Sequence, residues 1–185
     1  MAVGRGVAGG GAIAAVIALA GCGSATTAST TASVSKAVGW GTLRLASGAS
    51  LPYPLSWRRV GGDKGSASAA LFNADGTVRA YLNVTPAIAS ETLAGWARFR
   101  VGHNAEEGDK NVRLLSKQTN VPLDGGRGSC VTDQYTTTRT SYRELACVVA
   151  PSGAAMRVVL VAAAQPDVWD TERHVLQFAI DHFTS

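Results

Sequence analysis

A cysteine directly after a small-residue pair at the end of an apolar leader is a substrate for lipid attachment. Leu19-Ala20-Gly21-Cys22 has that form. Diacylglycerol is transferred to such a thiol and the chain is cut before it, so residues 1–21 read as a lipoprotein signal peptide and Cys22 as the lipidated N-terminus. Arg5 supplies the leading positive charge, and Val7 to Ala20 is apolar but shorter than the roughly 20 residues that a transmembrane helix needs. Each methylene of an attached acyl chain that enters a bilayer adds about 0.8 kcal/mol, so several chains give stable anchoring.

Once Cys22 is assigned to lipid, Cys130 and Cys147 remain as a pair. In an exported protein such a pair is expected to be oxidised, and closing a loop of this size is worth about 3 kcal/mol in the chain-entropy model. Neither cysteine lies in a Cys-x-x-Cys motif, which argues against thiol-redox chemistry.

Other chemistries find weaker support. His174 and His182 fall roughly 80° apart on a helix and two turns apart along it, too far for one metal ion. Glu106, Glu107 and Asp109 cluster near His103 but lack any calcium-loop spacing, and no metal ligand is assigned. Ser33-Val34-Ser35-Lys36 matches Ser-x-x-Lys, but in a segment with no capacity to form a pocket. Gly128-Ser129-Cys130 lacks the second glycine of a nucleophile elbow. Asp124-Gly125-Gly126-Arg127-Gly128 lacks the lysine of a phosphate loop and reads as a turn. Asn83-Val84-Thr85 has the form of an N-glycosylation acceptor, which has little meaning in a bacterial lipoprotein. Tyr53, between two prolines, is a candidate for an exposed contact residue.

These residues must be positioned by one domain. The chain has 185 residues, 46% hydrophobic and 16% charged, with a formal charge of +4. That excludes wholesale disorder, and the scattered basic residues give no nucleic-acid stripe. Residues 22–37 are small, hydroxylated and uncharged after Cys22 until Lys36, the composition of a flexible tether. Residues 38–185 read as a single α+β domain.

Its strands are expected at 40–46, 55–60, 66–73, 77–84, 112–121, 128–137, 141–149 and 156–164. Pro52-Tyr53-Pro54 reads as a turn and Asp75-Gly76 as a hairpin tip. A first helix is expected after Ser90 as N-cap, with Glu91 in its first turn and Gly102 or Gly108 at its exit. A second follows Asp167 as cap, with Trp169, Val175, Leu176, Ala179, Ile180 and Phe183 inward. On that reading Asp170, Glu172 and Asp181 stay in water, and Phe183 docks the C-terminus onto the sheet.

Placing Cys130 opposite Cys147 puts a hairpin centre between Thr138 and Arg139, inside a polar run. The same register sets Asp133 against Glu144, a like-charge pair that a bulge would relieve.

Leu51-Pro52, Leu55-Ser56-Trp57, Tyr81-Leu82-Asn83-Val84 and the closing helix Trp169 to Phe183 together resemble the PsbP-like family. Small actinobacterial lipoproteins of the LpqN type share that fold. The resemblance covers about residues 38 to 185 and implies an antiparallel sheet flanked by two helices, an α-β-α sandwich used for binding and assembly. It carries over no functional residue.

The expectation is therefore a lipid-anchored module on the extracytoplasmic face of the cell membrane, a non-catalytic binding or accessory component of the envelope. It would carry no cofactor, bind no nucleic acid, and meet an envelope protein, lipid or glycan. A lipid or small-molecule carrier, or an envelope hydrolase with an unfamiliar site, are the alternatives.

Overall fold

In the computed structural model, residues 39–153 and 156–185 are described; Cys22, the signal peptide and the tether lie outside them. Alternating apolar and polar residues around short turns build antiparallel ladders from nearly every strand-forming segment. The elements are β1 (Trp40–Arg44), β2 (Ser50–Pro54), β3 (Arg58–Val60), β4 (Ala67–Phe72), β5 (Val78–Pro86), α1 (Trp96–Glu106), β6 (Lys110–Leu123), β7 (Gly126–Thr136), β8 (Ser141–Pro151), β9 (Val158–Ala164) and α2 (Trp169–Asp181). Strands β3 to β9 form a seven-stranded sheet in the order β3-β4-β5-β9-β8-β7-β6, and β1-β2 is a separate hairpin. This is the α+β layout expected, with all paired strands antiparallel.

The central strand β9, VVLVAAA, is buried along its whole length. It has neighbours on both edges and layers on both faces, which is why it reads as an unbroken apolar run. On one face α2 and the β1-β2 hairpin cover Leu82, Leu160, Cys130, Cys147 and Val149. On the other, α1 lies over Val131, Ala146 and Val148, with Trp96 as its anchor. The Trp96 indole N–H donates to the Ala146 carbonyl at 2.8 Å, so this buried ring is also satisfied.

Cys130 and Cys147 are disulfide-bonded and stand directly opposite each other in the β7–β8 ladder. The ladder runs without a slip to Thr136 opposite Ser141, and Thr137 N–H closes the turn on the Thr140 carbonyl. The hairpin centre therefore falls between Thr138 and Arg139, as the cysteine spacing required.

Several local expectations are corrected. Residues 50–54 are a strand, with Pro52 opposite Thr42 and Pro54 opposite Trp40. Prolines are tolerated there because each strand of a two-stranded hairpin has an edge where no N–H is needed. Tyr53 is half-buried, its ring lying over Gly41, where a Cβ would come within 2.7 Å of it. The first helix begins at Trp96 with Gly95 as N-cap, because the Thr92 hydroxyl accepts from Gly95 N–H and extends the preceding turn. Glu91 instead accepts from the Ile88 N–H at 2.7 Å. Val168, not Asp167, is the N-cap of α2. Glu172 is buried and pairs with Arg79 at 3.1 Å, where it was expected in water.

The chain end is built in. Phe183 is fully buried, and Thr184 exchanges backbone hydrogen bonds with Ser50 at 2.8 and 3.0 Å. At the free edge, β6 carries Lys110, Arg113 and Lys117, positive-φ Asn111 and Asn120, and three register shifts. Charge, irregular backbone and bulges all discourage pairing with another sheet.

Candidate functional site

The helix α1 covers only the β6-β7-β8 half of its sheet face. Over β4, β5 and β9 the same face is open, and a groove of about 460 Å³ runs beside the helix. Its floor follows from strand parity. Ser68, Ala70, Tyr81, Asn83, Thr85, Val159 and Val161 point to this side, while their neighbours face α2. Val60, Gly61 and Asp63 form one wall, and Glu91, Arg100 and His103 form the other.

A buried polar network sets the helix-side wall. The register Tyr81, Ala163, Glu144, Asp133 runs as one row across four strands. Ala163 is small enough for the Tyr81 hydroxyl to reach over it towards Glu144, at 3.4 Å, and to Tyr135, at 2.7 Å. Glu144, wholly buried, also accepts from Tyr135 at 3.1 Å. Arg100 descends from α1 and donates to both Glu144 oxygens, Nε at 2.6 Å and Nη2 at 2.7 Å. Such a bidentate pair is geometrically specific and fixes the rotation of α1.

The electrostatics follow. Burial opposes the Arg100 charge, but Glu144 beside it overrides that and holds the guanidinium firmly protonated. Burial, then the Glu144 charge, push the Tyr81 hydroxyl well above its usual range. Tyr135 is raised in the same way by burial and by Tyr81. Asp133 has no cation of its own: Asn104 donates to its Oδ2 at 3.2 Å, and its Oδ1 has no hydrogen-bond partner. Burial, reinforced by Glu144, raises its carboxyl to about 7.

The Ser68 hydroxyl is engaged by the Asn83 amide at 2.8 Å, not by a base. Arg100 is committed to Glu144. Tyr142 closes the end of the groove edge-on to Tyr81, ring centres 5.6 Å apart, with its hydroxyl on the Val78 carbonyl at 3.0 Å. A ligand would meet fixed amide, hydroxyl and ring surfaces, with Asp63 and Glu91 giving the rim an acidic character that disfavours anions.

The residues singled out by type are scattered. His103 lines the groove, half-buried and stacked on Phe99 at 5.6 Å. His174 is exposed on α2, and His182 is exposed at its C-cap. Glu106 and Glu107 are exposed, and no group of three metal-ligating side chains lies together among the described residues. Ser129 is buried inside β7, and the glycine run contracts to a tight turn at residues 124–125. Arg100, Asn104, Tyr81 and Tyr135 were not singled out as site residues. The usable signal is two acids, Asp133 and Glu144, each on the parity of a buried aliphatic residue, Val131 and Ala146.

No protein family matches this sequence, and no curated protein does. Solved structures do. Cyanobacterial PsbP (CyanoP) from Synechocystis superposes with a TM-score of 0.55 at 17% identity, over 89% of this chain and 97% of that one. The fold is PsbP-like. The Ran-binding protein Mog1p of Saccharomyces cerevisiae gives 0.53 at 9% identity, over 79% and 95% of the two chains. LpqN of Mycobacterium tuberculosis, involved in cell envelope biogenesis, gives 0.43 at 15% identity over 80% and 92%. The likeness is one of fold.

Proposed function

We propose that this chain is a lipid-anchored binding or accessory module of the cell envelope, holding a ligand beside α1 without transforming it. The groove carries the reading: its volume lies in the range of small-ligand sites, and the Arg100–Glu144 network fixes one wall before anything binds. The Leu19-Ala20-Gly21-Cys22 motif supports anchoring on the extracytoplasmic face. A Ran-binding protein of the same fold is an instance of recognition on this scaffold. The size and polarity of the groove favour a neutral or cationic small molecule, which makes a carrier the second reading.

Native mass spectrometry of the full-length protein released from its own membrane tests this directly. A bound mass present in the wild type and lost in Thr85→Trp, whose side chain fills the groove, is the expected result. A clean unliganded mass, with no envelope component co-purifying, would overturn it. So would hydrolysis of ester, peptide or glycan substrates abolished by one Ser, His or Asp substitution.

A further inference from the structure

Three rings stack on the surface where the described chain begins. Trp40, the first residue of β1, lies 4.3 Å from Phe178 between ring centres, and Phe178 lies 4.0 Å from His182. Phe178 projects from the outer side of α2, off the face that buries Trp169, Leu176, Ala179 and Ile180, and is 37% exposed. Leu55, whose N–H donates to the Gly39 carbonyl at 2.8 Å, is 63% exposed but lies over Gly39 and Gly41, on the other face of the hairpin from Trp40.

We infer that the Trp40–Phe178–His182 stack is a membrane-seating surface whose occupant is the headgroup region of the bilayer that holds Cys22. The inference rests on the anchoring proposed above. Side chains with an apolar body and a polar edge partition to the bilayer interface, and indole and imidazole are both of that kind. Neither β1 nor β2 contains a carboxylate, and Asp181, on the adjoining turn of α2, is engaged by Gln177 at 2.8 Å. Sixteen residues lie between Cys22 and Gly39. The chain that leads from Cys22 enters the described domain at Gly39, next to Trp40, so an anchor on Cys22 would attach on the side that carries these rings.

The tryptophans supply the probe. Trp57, Trp96 and Trp169 are buried, so Trp40 is the one within reach of lipid. Full-length protein would be reconstituted into phosphatidylglycerol–phosphatidylethanolamine vesicles with brominated acyl chains, alongside Trp40→Phe. The difference in emission between the two isolates Trp40. We expect it to shift to the blue and fall several-fold with brominated lipid. In Phe178→Asp the protein should still sediment with vesicles while most of that quenching disappears. Co-sedimentation with Trp40 unquenched would overturn the seating surface and leave the anchor standing. Absence of acyl mass on Cys22 would overturn the anchor, and the bilayer as occupant with it. Quenching that tracks protein density instead of brominated lipid would assign the rings to a second copy and also overturn it.

Discussion

Asp133 and Glu144 face each other across the β7–β8 ladder, both fully buried, and the one guanidinium at hand, Arg100, bonds to Glu144 alone. The register does not slip to separate them. Glu144 takes Arg100 in full, and Asp133 is left with a single amide donor from Asn104. The sheet accommodates the like pair by keeping a proton on Asp133 towards neutral pH, since its carboxyl is raised from 3.8 to about 7 by burial and by Glu144.

Stability should therefore fall as pH rises. An acid whose folded value is raised keeps its proton when folded and releases it when unfolded. Its contribution is complete below about pH 4 and is lost progressively up to about 7. Asp133→Asn keeps a carbonyl for Asn104 and removes the charge. It should stabilise the protein at pH 8 by about 2 to 4 kcal/mol and flatten the pH 4–7 slope, read from urea midpoints across that range.

Removing Arg100 should have the opposite effect. Arg100→Met leaves Glu144 buried and unpaired, a change that costs about 3–5 kcal/mol. The double variant Arg100→Met with Glu144→Gln should recover most of that loss. Thermal unfolding of the single and double variants measures it, and an additive loss would show that the pair is not the source.

The disulfide closes a loop of 17 residues that is already a well-formed hairpin. Replacing both cysteines with alanine should lower stability by about 2–4 kcal/mol without altering the far-ultraviolet spectrum. Denaturation of the wild type with and without reductant should give a difference of the same size.

Gly125 is the seat of the C-terminal anchor. A Cβ there would come within 2.6 Å of two Phe183 ring carbons and 2.9 Å of its carbonyl oxygen. Gly125→Ala should displace Phe183 and destabilise by about 2–4 kcal/mol, similar to truncating the phenylalanine itself. Hydrogen exchange at Ser50 and Thr184 should accelerate in both variants.

What could be read from residue order was the sheet. Cys130, Cys147 and the threonine-rich run between them fixed one hairpin, and Asp75-Gly76 fixed another, because turn chemistry and alternation are local. Pro52 and Pro54 concealed β2, since whether a proline N is needed depends on which edge faces a partner. Ser90 and Asp167 were misleading caps because turns already bonded through Thr92 and Gln165 delay both helices. The groove was beyond local reading. It depends on α1 covering half a face, which Arg100 and Asn104 decide from 44 and 29 positions away.

The Ser50–Thr184 bridge ties the beginning of this fold to its finish. A polypeptide emerging from the ribosome cannot seal its hydrophobic interior until Phe183 has been synthesised, and until then the sheet lacks a covering layer. Closure of this domain is thus left to its last residues, and a chain cut short of Phe183 would keep one face of the sheet uncovered.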